Sequence, residues 1–186
     1  MPHSPQQIAD YQKRIQQALL DLGIPLSFAT ERRQSFHLEC TDLVSIGHDL
    51  AGREQRLERA AAAAWLAMRE AASRESVVLA AVSAFRSFNY QKQIIARKLT
   101  AGQTIDQILQ VSALPGFSEH HSGRAIDIGT PGCAELTEAF EQTAAFLWLT
   151  QRASEFGFRL SYPRGNPHGV IFEPWHWVFA GTLTST

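Results

Sequence analysis

No apolar run in this chain approaches the ~20 residues that a membrane-crossing helix needs. The longest, roughly Ala60 to Met68, is mostly alanine, so the sequence predicts no membrane span. A basic stripe is missing as well. Lys and Arg number 17 against 18 Asp and Glu, a formal net charge of -1, and no basic cluster exceeds a dipeptide such as Arg32-Arg33. Phosphate binding ordinarily leaves such a stripe, so nucleic acid is not an expected partner. Cysteine is scarce: Cys40 and Cys133 could form one disulfide at most. A chain this long has no need of one, and free, partly buried thiols are expected. The first residues, Met-Pro-His-Ser-Pro-Gln-Gln, lack the basic start and apolar run of a secretory leader. The expected location is therefore cytoplasmic, or periplasmic if a leader has been removed. No internal repeat is visible, and nothing in the sequence indicates an oligomeric state.

What is present is an ordinary globular composition, 45% hydrophobic and 19% charged over 186 residues, enough for one domain with a full core. Ser4, Pro5 and Gln7 announce a helix whose apolar face is Ile8, Tyr11, Ile15, Leu19 and Leu22, stopped by Gly23 and Pro25. Loops and short strands are expected between Leu26 and Ile46, including the stretches Phe36 to Leu38 and Leu43 to Ile46. A second helix is expected from about Glu54 to Ala72, with Leu57, Ala61, Trp65, Met68 and Ala72 on one face. Val77 to Val82 reads as a buried strand, followed by helices over about Asn89 to Leu99 and Thr104 to Val111. A further helix is expected from about Leu136 to Phe156, ending at Gly157, and a last strand from Glu173 to Phe179. Helices early and short strands late predict an α+β fold.

Seven histidines are spread over the chain. His3, His37 and His48 have no carboxylate at a metal-like spacing and are read as ordinary surface or hydrogen-bonded residues. The segment from Ser118 to Asp127, Ser-Glu-His-His-Ser-Gly-Arg-Ala-Ile-Asp, is different. Asp127 lies between Ile126 and Ile128, and a carboxylate on a buried strand needs compensation. A metal or an Arg partner would supply it, and this segment alone does not choose. The second cluster, Glu173-Pro174-Trp175-His176-Trp177, sets a carboxylate and an imidazole three apart. Two His and one Asp make a three-ligand set that leaves a fourth position for water, as catalytic zinc requires.

The pattern Ser118-x-His120-x-x-Gly123-x-Ala125-x-Asp127, followed by Glu173-x-x-His176, resembles the zinc motif of VanY-type D-alanyl-D-alanine carboxypeptidases. These belong to a metallopeptidase group that includes Hedgehog-like folds. The similarity extends to Phe85-Arg86-Ser87 with Gln91, to Phe156-Gly157-Phe158 and to Ser161-Tyr162-Pro163, covering roughly Val77 to Phe179.

The resemblance implies a small antiparallel sheet carrying a zinc site and flanked by helices. It implies one catalytic domain over 1–186, in which a helical part, 1–76, packs on a peptidase core, 77–179. By it, His120, Asp127 and His176 hold Zn2+, Glu173 is the general base, and His121 is a neighbour. Arg86 binds either a C-terminal carboxylate or the developing oxyanion, with Gln91 and Ser118 as partners for a peptide end. The bland reading of Arg86 is a structural residue stacked on Phe85 or Phe88. Trp175 and Trp177 are read mainly as core, and His168 as lying outside the motif with a substrate contact as the lesser reading. The implied substrate is a peptidoglycan stem peptide or muropeptide ending in D-alanine, cut at an L,D- bond in a tetrapeptide or a D,D- bond in a pentapeptide. The alternatives are a wall endopeptidase of the same fold and a zinc-containing binding module without catalysis.

Overall fold

The computed structural model describes residues 4–28 and 35–181, so His3 and the Arg32-Arg33 pair lie outside the described residues. Helix α1, Pro5–Asp21, starts with the expected capping box: the Ser4 hydroxyl accepts from the Gln7 amide, and the Gln7 side chain accepts from the Ser4 amide. Tyr11, Ile15, Ala18 and Leu19 form its buried face.

The second expected helix starts later than its periodicity suggests. Glu54–Glu58 is strand β2, antiparallel to β1, Leu43–His48, and helix α2 runs over Arg59–Arg74. Leu57 fits either pattern, since it is spaced for the helix face and also alternates with charged neighbours. Pairing with Val44 places Leu57 in the strand, and the Glu58 carboxylate then caps α2 by accepting from the Ala61 amide at 3.2 Å. The part before residue 77 therefore holds a hairpin as well as helices. All five residues of the expected face are still fully buried in one cluster.

Four antiparallel strands form the main sheet in the order β3, β4, β6, β5, where β3 is Ala80–Ser83, β4 is Ala125–Gly129, β5 is Phe158–Leu160 and β6 is His176–Phe179. β3 starts later than expected because Val77 closes α2, its amide bonding the Ala72 carbonyl at 2.9 Å. β6 is also shorter than expected. Pro174 has no amide to donate, and Glu173 to His176 form a turn in which the His176 amide bonds the Glu173 carbonyl at 3.0 Å.

Helices α3, Phe88–Thr100, and α4, Ile105–Val111, lie close to their expected spans. The single helix expected over Leu136 to Phe156 is instead three pieces: a 3₁₀ turn, Glu138–Gln142, helix α5, Ala144–Arg152, and a second 3₁₀ turn, Ala153–Phe156. Thr143 causes the first break, because its extended backbone and hydroxyl cap a new helix at the Phe146 amide.

The described residues form two apolar clusters. One joins α2 and α5 to Ile126, Ile128, Trp177 and Phe179; the other joins α1, α3 and α4 through Tyr11, Phe88, Ile95 and Leu109. Cys40 and Cys133 are free thiols, as expected.

Candidate metal centre and substrate groove

Asp127 and His176 stand opposite each other in the β4–β6 ladder. Directly paired residues project from the same face of a sheet, and their neighbours Ile126 and Trp177 project from the other, into the core. The ladder register therefore brings together two residues that are 49 apart in sequence, with Asp127 Oδ1 at 2.9 Å from His176 Nδ1. His120 arrives from a 3₁₀ turn, Glu119–Ser122, just before β4. Its Nδ1 faces the Ala84 carbonyl at 2.6 Å and so carries the proton, which leaves Nε2 as an acceptor. That Nε2 is buried without a hydrogen-bond partner, 3.3 Å from Asp127 Oδ2.

His120, Asp127 and His176 offer ligand atoms that all lie within 4.8 Å of one another, and all three residues are buried. An orphaned imidazole lone pair, a buried carboxylate and a second imidazole form a donor set suited to zinc. Burial, then Arg86, pushes His120 down to about 4, which keeps the ring neutral as a ligand must be. Burial alone would raise Asp127, but His120 and His176 outweigh it and hold the carboxyl well below its ordinary range.

His176 is held from both sides. Burial works to lower its pKa, but Asp127 at Nδ1 and Glu119 at Nε2, the latter at 2.8 Å, push it up to about 10. A cation facing Nδ1 would compete with that proton. Glu119 was not singled out in the sequence, where an acid beside a ligand gives no sign of a partner 57 residues away. Its carboxylate also accepts from Ser161 Oγ at 2.8 Å, and the Tyr162 ring lies tilted against His176 with centroids 4.8 Å apart. Burial would raise Glu119, yet the His176 contact brings it down to about 2. The arrangement fixes the ring so that Nδ1 faces Asp127, the usual office of a carboxylate behind a metal-binding His. We expect Glu119→Gln to weaken zinc binding by about 10- to 100-fold in a chelator competition, with the fold retained.

The two adjacent histidines point apart. His121 Nδ1 donates to the Arg86 carbonyl at 2.6 Å, its Nε2 accepts from the Gly116 amide at 3.1 Å, and its ring stacks on Phe88. The turn ends at Gly123, whose φ is 67° and where a Cβ would lie 3.0 Å from both the Glu58 amide nitrogen and Leu43 Cδ2. Gly123→Ala is expected to cost about 2 kcal/mol from the left-handed backbone and crowding, lowering the melting midpoint by roughly 4–8 °C in calorimetry. Gly132→Ala, at a positive φ with open space around it, is expected to lower it less.

Asp127, Glu173 and Arg86 open onto a groove of about 650 Å³. Glu173 is buried, with Oε2 3.9 Å from His176 Nδ1, and burial pushes its carboxyl up to about 7 against the pull of His176. Arg86 reaches Asp127 Oδ2 at 3.3 Å and Gln91 Oε1 at 3.4 Å, while its Nε is buried without a partner. It does not stack on Phe88, which carries Arg14 over its ring instead. Gln91 is fully buried behind Arg86 and donates to the Ala113 carbonyl at 2.8 Å. Ser118 is buried too, and neither it nor Gln91 lines the groove. Trp175 belongs to the core cluster and also lines the groove, whereas Trp177 bonds the Pro174 carbonyl on the core side. His168 and His37 border a separate small cavity beside Glu119 and Tyr162.

A family model described as VanY, D-alanyl-D-alanine carboxypeptidase, matches residues 54–182. The chain belongs to the VanY family. The match starts in β2, ahead of the Val77 limit of the motif resemblance. Among curated VanY relatives, the putative carboxypeptidase YodJ of Bacillus subtilis is 35% identical over 69% of this chain and 48% of its own length. A D-alanyl-D-alanine carboxypeptidase of Enterococcus faecalis is 28% identical over 63% of this chain and 46% of its own length. The chain thus spans about half the length of the curated relatives it matches. Among solved structures, the LdcB LD-carboxypeptidase superposes with a TM-score of 0.70 at 33% identity, over 78% of this chain and 71% of that one. VanYB in complex with D-alanine-D-alanine gives 0.62 at 26% identity, over 81% and 84%. A VanY D,D-pentapeptidase variant in complex with Zn(II) gives 0.58 at 25% identity, over 79% and 81%. These neighbours agree with the expected α+β, DD-peptidase-like fold. No helix among the described residues is long and apolar enough to cross a membrane.

Proposed function

We propose that this chain is a zinc-dependent carboxypeptidase that removes a C-terminal D-alanine from peptidoglycan stem peptides or muropeptides. The observation that carries the reading is the convergence of His120 Nε2, Asp127 and His176 Nδ1 beside Glu173 and Arg86, at a groove, in a VanY-family chain. The zinc-bound and D-alanine-D-alanine-bound neighbours support the metal and the substrate class.

A zinc ion held by His120, Asp127 and His176 would acidify a water and polarise a carbonyl. Glu173 receives the proton of the attacking water on its carboxylate and returns it to the leaving amine. Burial raises this carboxyl and a nearby cation opposes that rise, which suits a group that must both take and release a proton. Arg86, with an unpartnered Nε, offers charge-assisted donors to a peptide carboxylate or to the developing oxyanion. His121 and Gln91 hold Arg86 from behind, one at its carbonyl and the other at its guanidinium. Residues 1–76 and 77–179 act in this reading as one catalytic unit. Contacts across the boundary support it: the Cys40 amide bonds the His121 carbonyl and the Glu58 amide bonds the Gly123 carbonyl, each at 2.8 Å.

The test is mass spectrometry of products from parallel tetrapeptide and pentapeptide muropeptides, with and without a chelator. Chelator-sensitive loss of D-alanine from either is the expected result, and the preferred peptide separates L,D- from D,D-cleavage. Intact peptides in both arms would reject the reading.

A further inference from the structure

Helix α3 lines one wall of the groove with Tyr90, Ile94 and Lys98, spaced four apart on a single helical face that continues from Arg86. Lys98 is half-buried there, and its Nζ donates to Ser112 Oγ at 2.7 Å. No carboxylate among the described residues forms an ion pair with it. The charges it feels are Arg86, which opposes it, and Glu173, which attracts it; burial, then Arg86, lowers its pKa. Other charges on or near this helix are differently placed. Lys92 pairs with Asp21 at 2.5 Å, and at the groove mouth Arg53 pairs with Asp49 and Glu54 with Arg56.

A lysine set half out of water in the field of a second cation is unfavourable by itself, and an anion arriving in the groove would offset that. An ammonium carries three donors, and Ser112 takes one. Because the Ser112 oxygen accepts from Lys98, its own O–H remains available to donate to the same anion.

We propose that Lys98, with Ser112, forms a carboxylate-binding position in the groove, separate from Arg86, that contributes to the binding of peptide substrates. The proposal rests on the carboxypeptidase reading above. Two carboxylates have the required chemistry: the terminal carboxylate of D-alanine, and the side-chain carboxylate of a diaminopimelate residue preceding it. A lysine at that preceding position has only an ammonium to offer.

The test uses two tetrapeptides, L-Ala-γ-D-isoglutaminyl-X-D-Ala with X either meso-diaminopimelate or lysine, so that no other carboxylate is present. We expect Lys98→Met to raise KM by roughly 10- to 100-fold, the worth of a lost charge-assisted hydrogen bond, with kcat changed less than about 3-fold, and Lys98→Arg to recover part of the loss. A KM effect confined to the diaminopimelate peptide assigns the side-chain carboxylate, and an equal effect on both assigns the terminal one. Unchanged KM for both peptides in Lys98→Met would overturn the proposal. If the wild type releases D-alanine from neither tetrapeptide, L,D-cleavage is excluded, and the D,D-cleavage reading is decided separately on the pentapeptide. Calorimetric titration of the same peptides into zinc-loaded wild type and Lys98→Met then decides on Lys98: weaker binding by the variant supports the position, and equal or absent binding rejects it.

Discussion

Glu173→Ala is expected to keep about one zinc per chain while its turnover falls by about 10²- to 10⁴-fold, the range attributed to a positioned general acid-base. The separation of the two effects follows from geometry. Glu173 is not among the three residues whose ligand atoms converge; its Oε2 lies 3.9 Å from His176 Nδ1, on the groove side of the set. The set would therefore survive its removal. Its backbone is fixed by bonds from the Glu173 amide to the Tyr162 carbonyl and from the His176 amide to the Glu173 carbonyl, so truncating the side chain leaves the turn before β6 intact. Glu173→Gln keeps the shape and removes the titrating oxygen, and it should lose as much. The assay is D-alanine release at saturating peptide beside metal analysis of the same preparation. Near-normal turnover in either variant would remove Glu173 from the role of base, and loss of zinc with the turnover would make it a ligand.

The residues that converge at the groove could be named in the sequence because two locally spaced motifs carry the family resemblance. His120 and Asp127 sit within one turn and strand, and Glu173 and His176 within one turn of chain. What could not be read is what depends on pairing across the fold. Leu57 satisfies a helix period with Ala61, and only its partner Val44 makes it a strand residue. Glu119 looks like a solvated acid until β6 brings His176 against it. Lys98 reads as one more helix cation beside Arg97, and its position becomes meaningful only when Arg86 and Ser112 are seen on the same wall. The Leu136 to Phe156 segment shows the reverse error, where continuous apolar spacing conceals the restart at Thr143. In each case the local pattern was compatible with two structures and a long-range contact selected one.

The adjacent pair His120 and His121 gives the second large effect, because the structure assigns them opposite directions with almost equal burial. Zinc that binds the folded chain and not the unfolded one stabilises it by about 4 kcal/mol at a thousandfold excess over Kd, which corresponds to a rise of roughly 8–16 °C in melting midpoint for a chain of this size. The wild type should show that rise. His120→Ala should show almost none, and no D-alanine release, because it removes a buried ring nitrogen that has no hydrogen-bond partner and faces Asp127. His121→Ala should keep most of the zinc-dependent rise from a lower starting midpoint. Both ring nitrogens of His121 are committed to backbone, and truncation leaves the Gly116 amide and the Arg86 carbonyl without it, a loss of about 1–3 kcal/mol for a buried group. Its activity should fall as well, through Arg86, whose main chain His121 anchors. A zinc-dependent rise preserved in His120→Ala and abolished in His121→Ala would shift the ligand register by one residue, and the 3₁₀ turn from Glu119 to Ser122 would then have to present the other ring to the sheet.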